Sequence, residues 1–142
     1  MRKKRGQASI VYVILIGLLL FFFIPIVHYS FLETNNALKA SQLDSFISRL
    51  SKAVDAVHSI GPGTKEIVVV TLPKGVIESK FHNGENFGDT NEIVLKVEFY
   101  GGISDVHASV KPFLYGELPI NAGTYHLKVS SINETGVNIS IS

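Results

Sequence analysis

The feature that most constrains this chain is an apolar run of eighteen residues, Ile10 to Val27, uninterrupted by any charge. It is dominated by Ile, Leu, Val and Phe, with Phe21, Phe22 and Phe23 in succession. At ~1.5 Å of rise per helical residue, such a run crosses most of a hydrocarbon layer about 30 Å thick. Ahead of it stands a basic stub, Arg2-Lys3-Lys4-Arg5-Gly6-Gln7, joined through Ala8-Ser9. Cations on the amino-terminal flank predict that this end stays in the cytoplasm and that the rest of the chain is exported. The segment therefore decides the fold of everything after it: it is discarded, retained as an anchor, or trimmed and used for assembly.

The bulk figures read differently once this segment is set aside. The formal charge of +1 over 142 residues includes four cations in residues 2–5. The nine Lys and Arg left against twelve acidic residues give the remainder a charge of −3, which argues against a nucleic-acid partner. There is no cysteine, so disulfides, thiol catalysis and thiolate metal sites are excluded. One helical segment and one small domain account for the length.

After the run the pattern becomes amphipathic through residues 28–60. Leu43, Phe46, Ile47, Leu50, Val54 and Val57 recur at i, i+3, i+4, i+7, i+11 and i+14, as one apolar face of a helix requires. No Gly or Pro occurs between His28 and Ile60, and the pattern predicts one helix over residues 8–60 with Asn35-Asn36 its weakest point. Pro25 should kink or locally open it. Gly61-Pro62-Gly63 should end it. Strands are expected at Glu66–Leu72, Val76–Phe81, Glu92–Tyr100, Val106–Leu114, Thr124–Ser130 and Gly136–Ser142. Turn clusters at Asn83-Gly84-Glu85-Asn86, Gly101-Gly102 and Asn121-Ala122-Gly123 separate several of them. The expected fold is α+β: a long amino-terminal membrane helix (apolar over 8–27, amphipathic over 28–60), then a small antiparallel β-sandwich-like domain over 64–142.

Motifs for chemistry are missing. His28, His58, His82, His107 and His126 are scattered without the i, i+4 spacing of a zinc helix. Asp89, Glu92, Glu98 and Asp105 lack the spacing of a calcium loop and read as solvated charges at strand ends. No nucleophile elbow or phosphate cradle occurs. The expectation is a protein that is not an enzyme and holds no cofactor or metal. Asn133-Glu134-Thr135 and Asn138-Ile139-Ser140 are candidate N-glycosylation sequons on the exported side.

Three fates remain for the amino-terminal segment. A cleaved secretory signal fits poorly, because its apolar core is usually 7–15 residues and Ile26-Val27-His28-Tyr29-Ser30 offers no small-x-small site. An uncleaved signal anchor fits length and charge. The third fate follows from a resemblance. Lys4-Arg5-Gly6-Gln7-Ala8-Ser9, directly before the run, resembles the class III signal peptides of archaeal type IV pilin-like proteins. The stretch from Ala53 to Gly63, followed by a β-branched strand, is similar to the same family, as is the layout of the whole chain.

The resemblance implies that a prepilin peptidase reads Lys4, Arg5, Gly6 and Gln7, removes residues 1–6 and leaves Gln7 as the new terminus. It implies a membrane-held precursor and then an extracellular, cell-surface filament built with other pilin subunits and used in adhesion or surface contact. Ile10, Val11, Ile14, Gly17, Leu18, Phe21 and Pro25 would serve membrane residence and helix packing. The family usually carries glutamate two residues after the serine, where this chain has Val11. That departure leaves room for a minor, tip or initiating subunit, or for a processed protein that never polymerises. The alternative is a single-pass anchored β domain acting as a surface binding module.

Overall fold

The computed structural model describes residues 2–85 and 90–142, of which 2–5 are described as backbone alone. Among the described residues one helix, α1, covers Arg2–Ile60, and seven strands follow. These are β1 (Lys65–Leu72), β2 (Val76–His82), β3 (Asn91–Phe99), β4 (Gly102–Val110), β5 (Phe113–Gly116), β6 (Gly123–Ser131) and β7 (Gly136–Ile141). The chain divides into two compact units, one ending at Ala37 and one spanning Leu38–Ser142. The second half of α1 therefore belongs with the strands.

In the second unit, the apolar face of α1 does what its spacing predicts. Leu43, Phe46, Ile47, Leu50, Val54 and Val57 are all buried, together with Ala53. They share one core with Val70 and Leu72 of β1, Ile93, Leu95 and Val97 of β3, Leu127 and Val129 of β6, and Val137 and Ile139 of β7. Burying a Leu or Phe side chain is worth ~1.5–3 kcal/mol, so this face is what holds helix to strands. Two polar contacts add direction. The Arg49 guanidinium donates to the Val69 carbonyl at 3.4 Å, and the Lys111 amide donates to Asp55 Oδ1 at 3.1 Å. Pro62, which offers no N–H, helps close the helix at Ile60.

The strands form two sheets, ordered β1-β6-β7-β5 and β2-β3-β4. On β3, Ile93, Leu95 and Val97 point into the core while Glu92, Lys96 and Glu98 point out, the alternation expected of a half-buried strand. Asn91 is a buried polar residue with both ends satisfied: its Oδ1 accepts from the Gly84 amide at 3.0 Å and its Nδ2 donates to the Lys111 carbonyl at 3.1 Å. Asn83 pins the neighbouring segment in the same way, exchanging bonds of 2.8 and 2.9 Å with the backbone of Leu114.

Two expectations change. The segment Val106–Leu114 is two strands, β4 and β5, because Pro112 cannot donate to a ladder and the chain turns there. The domain is not wholly antiparallel, since β5 pairs with β7 in parallel, Phe113 opposite Gly136 through Gly116 opposite Ile139. Pro25 lies inside α1, which continues through it to Ile60. Asn35-Asn36 is helical as well, and the Thr34 hydroxyl donates to the Ser30 carbonyl at 2.8 Å just before it.

Candidate functional site in the first helical unit

The first unit consists of α1 up to Ala37. Its most apolar window has a mean hydropathy of 3.1, and none of that window is buried. By length and composition this helix is able to cross a membrane. The exposure runs all round: Ile10, Val11, Ile14, Leu18 and Phe21 are open, and so are Leu15, Leu19, Phe22 and Phe23 between them. A helix apolar on every side has no stable place in water unless lipid or other apolar helices surround it. At Gly17 a Cβ would meet nothing within 4 Å, so the gap left by its missing side chain is open to a neighbouring helix. Pro25 is exposed too; in membrane spans generally a proline is tolerated where neighbouring helices re-satisfy the freed carbonyl.

The apolar surface is longer than the run suggests. Tyr29 and Phe31 are 70% and 68% exposed, and the buried face of α1 begins only at Leu43. None of residues 28–42 is fully buried, though the half-buried Leu32, Asn36 and Lys39 keep the phase of the later stripe. Two aromatics just beyond His28, Tyr29 and Phe31, were the available signal. Tyrosines placed like Tyr29, at the end of an apolar span, suit the polar boundary of a bilayer.

The residues expected to form a processing site have a defined backbone. The helix reaches back to Arg2, six residues before the expected start, so the Gly6–Gln7 bond lies within helix. The side chains of Lys4 and Arg5 lie outside the described residues, whereas Gly6 and Gln7 are exposed. Gly6 has open space where a side chain would be, and glycine in a helix costs ~1 kcal/mol relative to alanine. The first four amides of a helix also lack intrahelical partners, so this end is the cheapest part of α1 to unwind.

Other candidates are dispersed. Asn133 stands exposed in the loop between β6 and β7, and Asn138 is half-buried in β7. Glu98 and Asp105 face outward from the second sheet, with Asp105 opposite Lys96 in the ladder, while Asp89 lies outside the described residues. Among the described residues no three His, Asp or Glu side chains come together as a metal site. His58, in the last turn of α1, has a buried Nδ1 with no hydrogen-bond partner, and no acid or nucleophile is bonded to it. What the arrangement offers is surface for helix packing and an accessible junction. Scans against protein-family models and searches of curated proteins and of solved structures give no match to this chain.

Proposed function

We propose that this chain is a structural subunit of a type IV pilus-like surface filament, synthesised as a membrane precursor and cut between Gly6 and Gln7. The observation that carries the reading is the first half of α1, apolar and exposed on all sides directly behind a basic, glycine-ended leader. In the bilayer the backbone groups of such a helix, apart from the carbonyl that Pro25 leaves free, are bonded internally and its side chains meet lipid. In a filament the same surface is covered by copies or relatives of itself. Lipid tails are as apolar as leucine, so the transfer is driven by close packing and by small residues such as Gly17 rather than by the hydrophobic effect. The second unit is displayed outward for adhesion or surface contact. Its core uses only the later half of the helix, which leaves the first half free for assembly.

Val11 favours a minor or initiating subunit over an abundant one. A carboxylate at that point would compensate the freshly exposed amine of a neighbour, and an uncompensated charge is costly to bury. The same residue keeps the second reading open, an anchored β domain that never polymerises. Mass spectrometry of the mature protein separates them. A terminus at Gln7, abolished by Gly6→Leu, supports the filament subunit. An intact leader on protein recovered from the cell surface refutes it in favour of the anchor.

A further inference from the structure

We propose that Asn133 is the N-glycan acceptor of the second unit and that Asn138, five residues on, is silent although its sequon is complete. The inference rests on the export of the second unit that the filament reading requires, and on nothing else in that reading.

The two sequons are alike in sequence and opposite in structure. Asn133 is exposed in the loop that joins β6 to β7, a loop closed by the Ile132 amide donating to the Gly136 carbonyl at 3.0 Å. Within it the sequon is already folded on itself. Asn133 Oδ1 accepts from the Thr135 amide at 2.9 Å and from the Thr135 hydroxyl at 3.0 Å. Both bonds fall on the amide oxygen, and among the described residues no acceptor takes up Nδ2, the nitrogen that reacts. The loop also lies beside the end of α1, because Gly63 and Thr64 exchange bonds of 3.1 and 2.9 Å with Ser131. From Leu38, where the chain enters this unit, the helix climbs roughly 33 Å to Ile60 at ~1.5 Å per residue. A sugar on Asn133 therefore stands at the far end of the unit from its point of entry, clear of the core.

Asn138 is held in an inner strand. β7 pairs with β6 on one side, where Ser130 is opposite Asn138, and with β5 on the other, where Tyr115 is opposite Asn138. Bending this sequon into an acceptor turn would tear β7 from both neighbours and expose Val137 and Ile139, which are fully buried. The Asn133 loop needs no such opening.

The chemistry is a transfer from a polyprenyl phosphate-linked oligosaccharide. Nδ2 of Asn133 attacks the anomeric carbon, and the bond from that carbon to the carrier's phosphate oxygen breaks. The electron pair leaves with the phosphate, the N–C bond forms, and the amide nitrogen gives up one proton. No oxidation state changes.

The test is peptide mapping by mass spectrometry on the full-length protein recovered from the envelope of the cells that make it. Cleavage after Glu134 puts the two asparagines on separate peptides. The expected result is a sugar mass on the Asn133 peptide alone, lost completely in Asn133→Gln and Thr135→Ala, retained in Thr135→Ser and unchanged in Ser140→Ala. Protease applied to intact cells reports export separately. An unmodified Asn133 on protein that the protease reaches overturns the proposal while leaving export standing, as does a sugar on Asn138. Protein that the protease cannot reach overturns both.

Discussion

Gly116 and Gly101 have nearly the same positive φ, 100° and 106°, in different surroundings, and this makes them a matched pair for measurement. A Cβ added at Gly101, in the turn between β3 and β4, meets nothing within 4 Å. Added at Gly116, it would lie 1.9 Å from the carbonyl oxygen of Ile139 and 2.9 Å from its carbon. Those are backbone atoms of an inner strand, and the same oxygen accepts from the Glu117 amide at 3.3 Å. Alanine at either position incurs ~1–2 kcal/mol for the left-handed backbone. At Gly116 the contact is too short to survive, so the end of β5 must move off β7. That forfeits the Glu117 bond, worth about 0.5–1.5 kcal/mol, and part of the parallel ladder that precedes it. Gly116→Ala should therefore cost roughly 3 kcal/mol or more, against about 1–2 kcal/mol for Gly101→Ala. Urea unfolding of the full chain in detergent, followed by circular dichroism in the β region, measures both. A difference below ~0.5 kcal/mol between the two would refute the close approach of β5 to β7 and with it the parallel pairing.

Leu50→Ala should destabilise the second unit by ~2–5 kcal/mol, since Leu50 is fully buried and the cavity is walled by both helix and strands; a loss under 1 kcal/mol in the same unfolding assay would mean that α1 is not part of that core. Asn91→Leu should cost about 2–4 kcal/mol, because it strands the Gly84 amide and the Lys111 carbonyl at once; thermal melts would register it as a lowered midpoint. Leu18→Arg, in the middle of the exposed apolar stretch, should oppose membrane insertion by ~2.5–3.5 kcal/mol, read as protein shifting from the carbonate-resistant membrane fraction to the soluble one. An unchanged distribution would show that this helix does not insert.

The outward face of the second sheet gives the domain its solvated exterior without contributing much stability. Glu78 lies 3.5 Å from Lys80 and 3.8 Å from Lys96, with all three side chains about half exposed to solvent, at 48%, 56% and 40%. Such exposed pairs are worth ~0–1 kcal/mol and are screened by salt. The stability of the unit rests on the shared apolar core and on the satisfied asparagines at its edges.

Periodicity, β-branched runs and turn residues determined the helix, its core face and five of the seven described strands, with β4 and β5 read as one. Charge-free length behind cations determined that the first segment belongs in an apolar setting, and the stop at Gly61-Pro62-Gly63 was legible because proline cannot donate. The candidate helix-packing residues were legible for the same reason, an apolar surface with no polar face. The tertiary structure decided what local pattern leaves degenerate. Ile67, Val68, Val69 and Val70 read as one apolar run, yet Val68 and Val70 face the core while Ile67 and Val69 are exposed, because β1 has the core on one side only. The parallel pairing of β5 with β7 depends on a contact between residues far apart in sequence, and no local signal encodes it. The two sequons differ for the same reason. Three residues each specify the motif, but the loop at Asn133 and the doubly paired strand at Asn138 exist only once β5, β6 and β7 have come together.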